Sequence, residues 1–145
     1  MKRISILFTC IALLAAASAA LAAGSPAKLK LGKTSLGKIV QNGRGFTVYM
    51  FTRDRRSKDN CVKVSGCTGV WPAVTTSGRP VLGPGLKRSL IGTITLPSGA
   101  KQVTYAGHPL YRYIGDSGPG DTSYIGFSEF GGSWFALNAA GRAVK

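Results

Sequence analysis

The sequence predicts an all-β protein: two related antiparallel β units, a tandem repeat, packed into one small domain with little helix outside a signal peptide. Three observations carry this. First, Tyr49-Met50-Phe51-Thr52-Arg53-Asp54 returns as Tyr111-Arg112-Tyr113-Ile114-Gly115-Asp116, both reading Tyr, any, aromatic, any, any, Asp. Second, the copies lie 62 residues apart at Gly45/Gly107 and at the Tyr and Asp, and 63 apart at Trp71/Trp134, the pattern of a duplicated unit. Third, no stretch beyond the N-terminal segment keeps a helical period, and 20 Gly and seven Pro disfavour long helices.

The chain starts with Lys2 and Arg3, an apolar run from Ile4 to Ala23 and the A-x-A pattern Ala20-Leu21-Ala22. This reads as a signal peptide over residues 1–22, cleaved rather than kept as an anchor. No transmembrane span is expected in the mature chain. Cys10 follows Thr9 rather than a small residue suited to a lipid-anchor site, and apolar sequence continues beyond it.

Residues 23–34 read as an N-terminal tail running into a first strand, and residues 35–143 as the β domain. Unit one covers about 35–74. Leu36, Ile39 and Val40 precede the turn Asn42-Gly43, and the chain returns as a strand from Phe46 to Arg53. Thr47, Tyr49 and Phe51 share one face, while Phe46, Val48 and Met50 share the other, so both faces are expected to be packed. Asp54 opens a polar loop to Gly69 and suits an Asx turn. The Gly/Pro/Ser-rich residues 75–89 read as a joining segment. Unit two covers about 90–143: strands at Leu90–Leu96, Gln102–Tyr105 and Leu110–Ile114 form a meander, followed by a loop and a last buried strand, Trp134–Leu137.

Beyond residue 22 the chain keeps 17 basic and five acidic residues, a net charge of +12. Long-range electrostatics draw such a surface towards polyanions. Arg53, Arg55 and Arg56 form the candidate anion site, because guanidinium forks suit phosphate and carboxylate. A solvated charged loop is the plainer explanation. Cys61 and Cys67 are the two cysteines left after export, and an even count in an oxidising compartment reads as one disulfide.

Catalytic and metal chemistry find little purchase. Gly115-Asp116-Ser117-Gly118 looks like a serine-protease nucleophile loop, but it continues Pro119-Gly120 instead of Gly-Pro, and the single histidine, His108, sits just upstream. Asp116 and Asp121 supply too few oxygens for calcium. Nothing in the spacing joins His108 to Met50 as haem or copper ligands. No catalytic residue, metal or cofactor is expected. The aromatic residues could stack bases, but at strand spacing they read as core, so no specific nucleic-acid partner is expected.

The doubled Tyr-x-aromatic-x-x-Asp, with Cys67 four residues before Trp71-Pro72, resembles the bacterial secreted-repeat proteins, predicted lipoproteins with a conserved Yx(FWY)xxD motif. Unit two matches best, through Gln102-Val103-Thr104-Tyr105, Gly107-His108-Pro109-Leu110-Tyr111, Gly115-Asp116, Pro119-Gly120-Asp121 and Trp134. The resemblance implies a secreted or envelope-attached protein of two repeats with no assigned activity. The motif residues are then Tyr49, Phe51, Asp54, Tyr111, Tyr113 and Asp116. The resulting expectation is a non-catalytic envelope module whose partner is an anionic envelope polymer or lipid head groups. The alternative is an extracytoplasmic redox or electron-transfer accessory using Cys61/Cys67 or a bound cofactor. The sequence leaves the oligomeric state open.

Overall fold

The computed structural model describes residues 24–145, so the signal peptide expected at 1–22 lies outside the described residues. Each repeat opens with a hairpin. In the first, β1 (Lys28–Thr34) pairs antiparallel with β2 (Gly37–Asn42), from Thr34 opposite Gly37 to Leu29 opposite Asn42. The turn after β2 forms where Asn42-Gly43 predicts it. The Asn42 side-chain oxygen accepts the N–H groups of Arg44 (2.9 Å) and Phe46 (3.1 Å), so one short polar side chain replaces two ladder partners.

β3 (Tyr49–Phe51) is short and buried throughout. Its alternation divides the interior in two. Val48 and Met50 join Leu29, Val40, Val103, Tyr105, Leu110 and Leu137 in an aliphatic cluster. Tyr49 and Phe51 join Trp71, Tyr111, Trp134, Cys61 and Cys67 in an aromatic one. A strand with apolar groups on both faces is stable only between two such layers.

Two pieces of the joining segment are strand rather than linker: β4 (Thr75–Thr76) and β5 (Val81–Leu82). β5 pairs parallel with β1. The stretch expected as a tail, 23–34, is therefore strand from Lys28 onward, held on both sides. The alternation Lys28-Leu29-Lys30-Leu31 is the period-2 signal of this strand, and pairing with β2 and β5 extends it to Thr34.

In the second repeat, β6 (Ile91–Thr95) pairs with β7 (Lys101–Tyr105), and β7 turns directly into β8 (His108–Pro109). Ala106 (φ 51°) and Gly107 (φ 81°) make the two-residue turn, whose positive φ at both positions matches the twist of a tight hairpin. The strand expected at Leu110–Ile114 reduces to single bridges, from Tyr111 to Tyr49 and to Ala73. β9 (Ser128–Glu129), β10 (Gly132–Leu137) and β11 (Ala143–Val144) complete the chain, both β9 and β11 pairing with β10. Helix among the described residues is limited to η1 (Cys61–Lys63) and α1 (Cys67–Val70), which flank the disulfide.

The repeats do not fold side by side. β3 of the first pairs with β10 of the second, Tyr49 opposite Ala136 and Phe51 opposite Trp134. β4 of the first pairs with β7 of the second. Each repeat thus completes a sheet of its sister, and neither encloses a core by itself.

Two substitutions probe this packing. Gly141 has φ +77°, and a Cβ there would run into the Ala106 Cβ. Gly141→Ala should lower unfolding free energy by about 2 kcal/mol or more in a urea titration. The Cys61–Cys67 bridge closes a loop of only six residues' separation. Replacing both cysteines by serine should lower stability by about 2 kcal/mol on the same assay, with the sheets retained by circular dichroism.

Candidate functional site

The two motif copies meet across a local two-fold arrangement. The backbone N–H of Tyr49 donates to the carbonyl of Tyr111, and that of Tyr111 to the carbonyl of Tyr49, both at 2.9 Å. The side chains then cross over. The Tyr49 hydroxyl donates to Asp116 Oδ1 of the second repeat (2.9 Å), and the Tyr111 hydroxyl to Asp54 Oδ2 of the first (2.7 Å). Trp71 and Trp134 stack face to face at 3.9 Å between centroids. Phe51 stacks on Trp134, and Tyr113 leans on Trp71, again between repeats. Tyr49 meets Trp71 edge-on, as Tyr111 meets Trp134, both at 5.1 Å. All six motif residues are therefore part of this assembly, and none is isolated on the surface.

Burial dominates the electrostatics of the two locks. It pushes the Asp54 carboxyl up to about 7, although the Asn60 N–H and the Tyr111 hydroxyl hold it down. It pushes Asp116 up to about 6, opposed by the Tyr49 hydroxyl. Both phenols rise above the usual tyrosine range through burial and the carboxylates they face, so they remain donors. Each lock has a second acid five residues on. Asp59 accepts the Val62 N–H at 3.0 Å. Asp121 accepts from Ser117 and Ser123 and is held below the carboxylate range, first by the Ser123 N–H and then by the Ser117 N–H. The 62-residue offset extends to this pair, a signal present in the sequence that reading the motif alone passes over.

Two positions break the symmetry. The Trp71 indole N–H donates to Glu129 Oε2 (3.1 Å), whereas that of Trp134 is buried without a partner. Counting back from Glu129 by the tryptophan spacing reaches Gly66, which has no side chain to accept it.

The loops after the two aspartates differ more. Arg53, Arg55 and Lys58 sit 62 residues before Gly115, Ser117 and Gly120. The second loop closes without these cations and by another path: Ser57 (φ 53°) stands where the second repeat has Pro119, Arg55 bridges Lys58, and the Ser117 N–H instead goes to Asp121. In the first repeat Arg53, Arg55, Lys58, Asn60 and Lys63 line a basin of about 400 Å³. Asn60 is fixed there by donating to the Arg53 carbonyl (2.8 Å), and Arg53 donates to the Phe130 carbonyl (2.9 Å). Of the three arginines singled out in the sequence, Arg53 and Arg55 converge. Arg56 turns away, and with Arg55, Asp54, Met50 and His108 it lines a neighbouring pocket of about 370 Å³. Lys58, Asn60 and Lys63 complete the basin, and only the folded loop reveals them as its members.

His108 and Met50 do share that pocket. Burial and then the Arg56 charge push the His108 imidazole below its usual range. Cationic walls oppose a metal ion, and among the described residues there is no group of three or more His, Cys, Asp or Glu able to hold one. Cys61 and Cys67 are bonded and fully buried against Trp71. No helix among the described residues is long and apolar enough to cross a membrane.

A doubled Tyr-x-aromatic-x-x-Asp unit, interlocked into one β domain with a disulfide-tied loop, defines a class of two-repeat proteins. The sequence model of the Lipoprotein_15 family, described as a secreted repeat of unknown function, matches residues 30–75 and again 92–138. The chain belongs to this family of secreted repeats, and the two matches coincide with the two halves of the fold. No curated protein and no solved structure matches it.

The locks predict a pH signature. Asp54 and Asp116 bind their protons more tightly folded than unfolded. The stability this contributes is complete below their ordinary value of 3.8 and is lost as pH rises through about 6 and about 7. His108 works oppositely, since its depressed value favours the folded state as pH rises towards 6.5. Asp54→Asn with Asp116→Asn should therefore gain stability relative to wild type between about pH 4 and about pH 8. Urea titrations across that range check the sign. A constant difference would remove the buried carboxyls as its cause.

Proposed function

We propose that this chain is a non-catalytic module of the cell envelope that binds an anionic partner through the loop from Arg53 to Lys63. One observation carries the reading: the duplicated fold contains its own control. The second repeat spans the same interval, Asp116 to Asp121, by another backbone path and with Gly115, Ser117 and Gly120 in place of Arg53, Arg55 and Lys58. The sister loop thus closes without cations, whereas those of the first are gathered around one basin. A disulfide and the Asp54–Asn60 hydrogen bond hold that basin's backbone. Preorganised cations lose less entropy on meeting an anion than cations on a loose loop. The net charge supplies attraction at longer range. The redox alternative has less behind it, because buried half-cystines are poorly placed for thiol exchange.

Retention on immobilised polyphosphate tests this. Wild type should bind at low salt and elute as ionic strength rises. Arg53→Ser/Arg55→Ser/Lys58→Ser should lose affinity by about a hundredfold, at about 1 kcal/mol per removed cation. Lys33→Ser/Lys38→Ser/Arg88→Ser removes the same charge from exposed sites elsewhere and should lose far less. Equal losses in the two triples would reduce the reading to net charge alone.

A further inference from the structure

Beside the basic basin the second repeat presents an apolar surface that its fold does not require. Ile114 is 61% exposed and Phe127 47% exposed. Phe127 ends a run of rings that leaves the core from Trp71 through Tyr113 and Tyr124, with centroid spacings of 4.4, 4.0 and 5.9 Å, and Ile114 follows Tyr113 of that run in sequence. Ile114 is anchored by its N–H to the Val70 carbonyl (3.2 Å) at the end of the disulfide loop. The other repeat again serves as the control. The residue 62 before Ile114 is Thr52, whose hydroxyl accepts the Ser133 N–H at 2.8 Å. The frame is satisfied there by a polar side chain, so the apolar group at Ile114 is not a packing requirement. The basin touches the segment that carries Phe127. Arg53 of the basin holds the carbonyl of Phe130, three residues from Phe127, and Gly66 of the disulfide loop lies against the Phe130 ring.

We infer that this face docks on an anionic lipid bilayer, with the basin cations on the head groups and Ile114 and Phe127 in the interface. The charge half rests on the function proposed above; the apolar half is independent of it. A cationic patch bordered by exposed aliphatic and aromatic side chains is what binding at a membrane surface calls for, since head-group attraction and apolar burial then add. A charged soluble polymer would use the cations, but it gives no reason for an exposed isoleucine, a side chain with neither charge nor ring to offer it. The chemistry recognised is therefore a phosphate-bearing surface with hydrocarbon directly beneath it.

Co-sedimentation of residues 24–145, which contain every described strand and both core clusters, with lipid vesicles decides the matter. Binding is expected to vesicles containing anionic phosphatidylglycerol and not to phosphatidylcholine alone. Ile114→Ser/Phe127→Ser should weaken vesicle binding by about tenfold and leave retention on polyphosphate unchanged. Phe127→Trp should give an emission blue shift on adding anionic vesicles, which keeps the test open if the serine pair folds poorly. Polyphosphate binding without vesicle binding, or vesicle binding that the serine pair leaves intact with no shift from the tryptophan, would overturn the inference and favour a soluble polymer or charge alone. Loss of polyphosphate binding together with vesicle binding in wild type would overturn the anionic reading itself.

Discussion

The structure depends on a reciprocal exchange. Each repeat supplies a tyrosine whose hydroxyl reaches the aspartate of the other, and each supplies an indole to one stacked pair at the centre. A phenol buried beside a carboxyl must find a hydrogen bond, because an unpaired buried polar group costs about 1–3 kcal/mol. Satisfying both tyrosines therefore fixes the distance and angle between the repeats. Sheet exchange follows the same logic: β3 lies on β10 and β4 on β7, so neither half has a closed core before its sister arrives. Duplication here produced one cooperative unit, not two beads.

Cooperativity of this kind separates the residues that hold the fold from those that are free to change. Tyr, Trp and Asp at the locks are constrained twice over, by their own repeat and by the other. The loop after each aspartate is tied down at a few points, Ser57 to Gly107 and the disulfide in the first, Gly120 to Gly45 in the second, and its exposed side chains are free. One loop has taken arginines, lysines and a disulfide; the other has taken Gly, Pro and Ser and leads to exposed Phe127. The two loops are thus equivalent in position and opposite in chemistry. The proposed function reads that divergence, not the motif, as the place where this protein meets its partner.

Much of the architecture was legible because it is written in short-range patterns. Alternation around Tyr49 gave a strand with two apolar faces, and those faces became the aliphatic and aromatic clusters. Asn42-Gly43 gave a turn, and the pair Cys61/Cys67 gave the bridge. Elements whose stability comes from remote partners were misread. β1 was expected as a tail running into a strand; Lys28-Leu29-Lys30-Leu31 alternates with period two, and β2 and β5 hold the whole stretch from Lys28 on both sides. Leu110–Ile114 looked like a strand, but beyond the bridges at Tyr111 its N–H groups go to the carbonyls of Pro72 and Val70, the irregular exit of the disulfide loop, so no ladder forms. Within the basin, Arg56 was adjacent in sequence but not in space, and Lys63 the reverse.

By itself the sequence determined that a β unit occurs twice, where its turns fall and which side chains its strands bury, since each of these comes from periods of two and from local turn chemistry. Only the tertiary structure decided that Tyr49 bonds Asp116 and Tyr111 bonds Asp54, partners 67 and 57 residues apart. The reason is geometric. Within one motif the chain turns between the aromatic residue and the aspartate, and the acceptor each phenol finds is the one the antiparallel sister brings alongside.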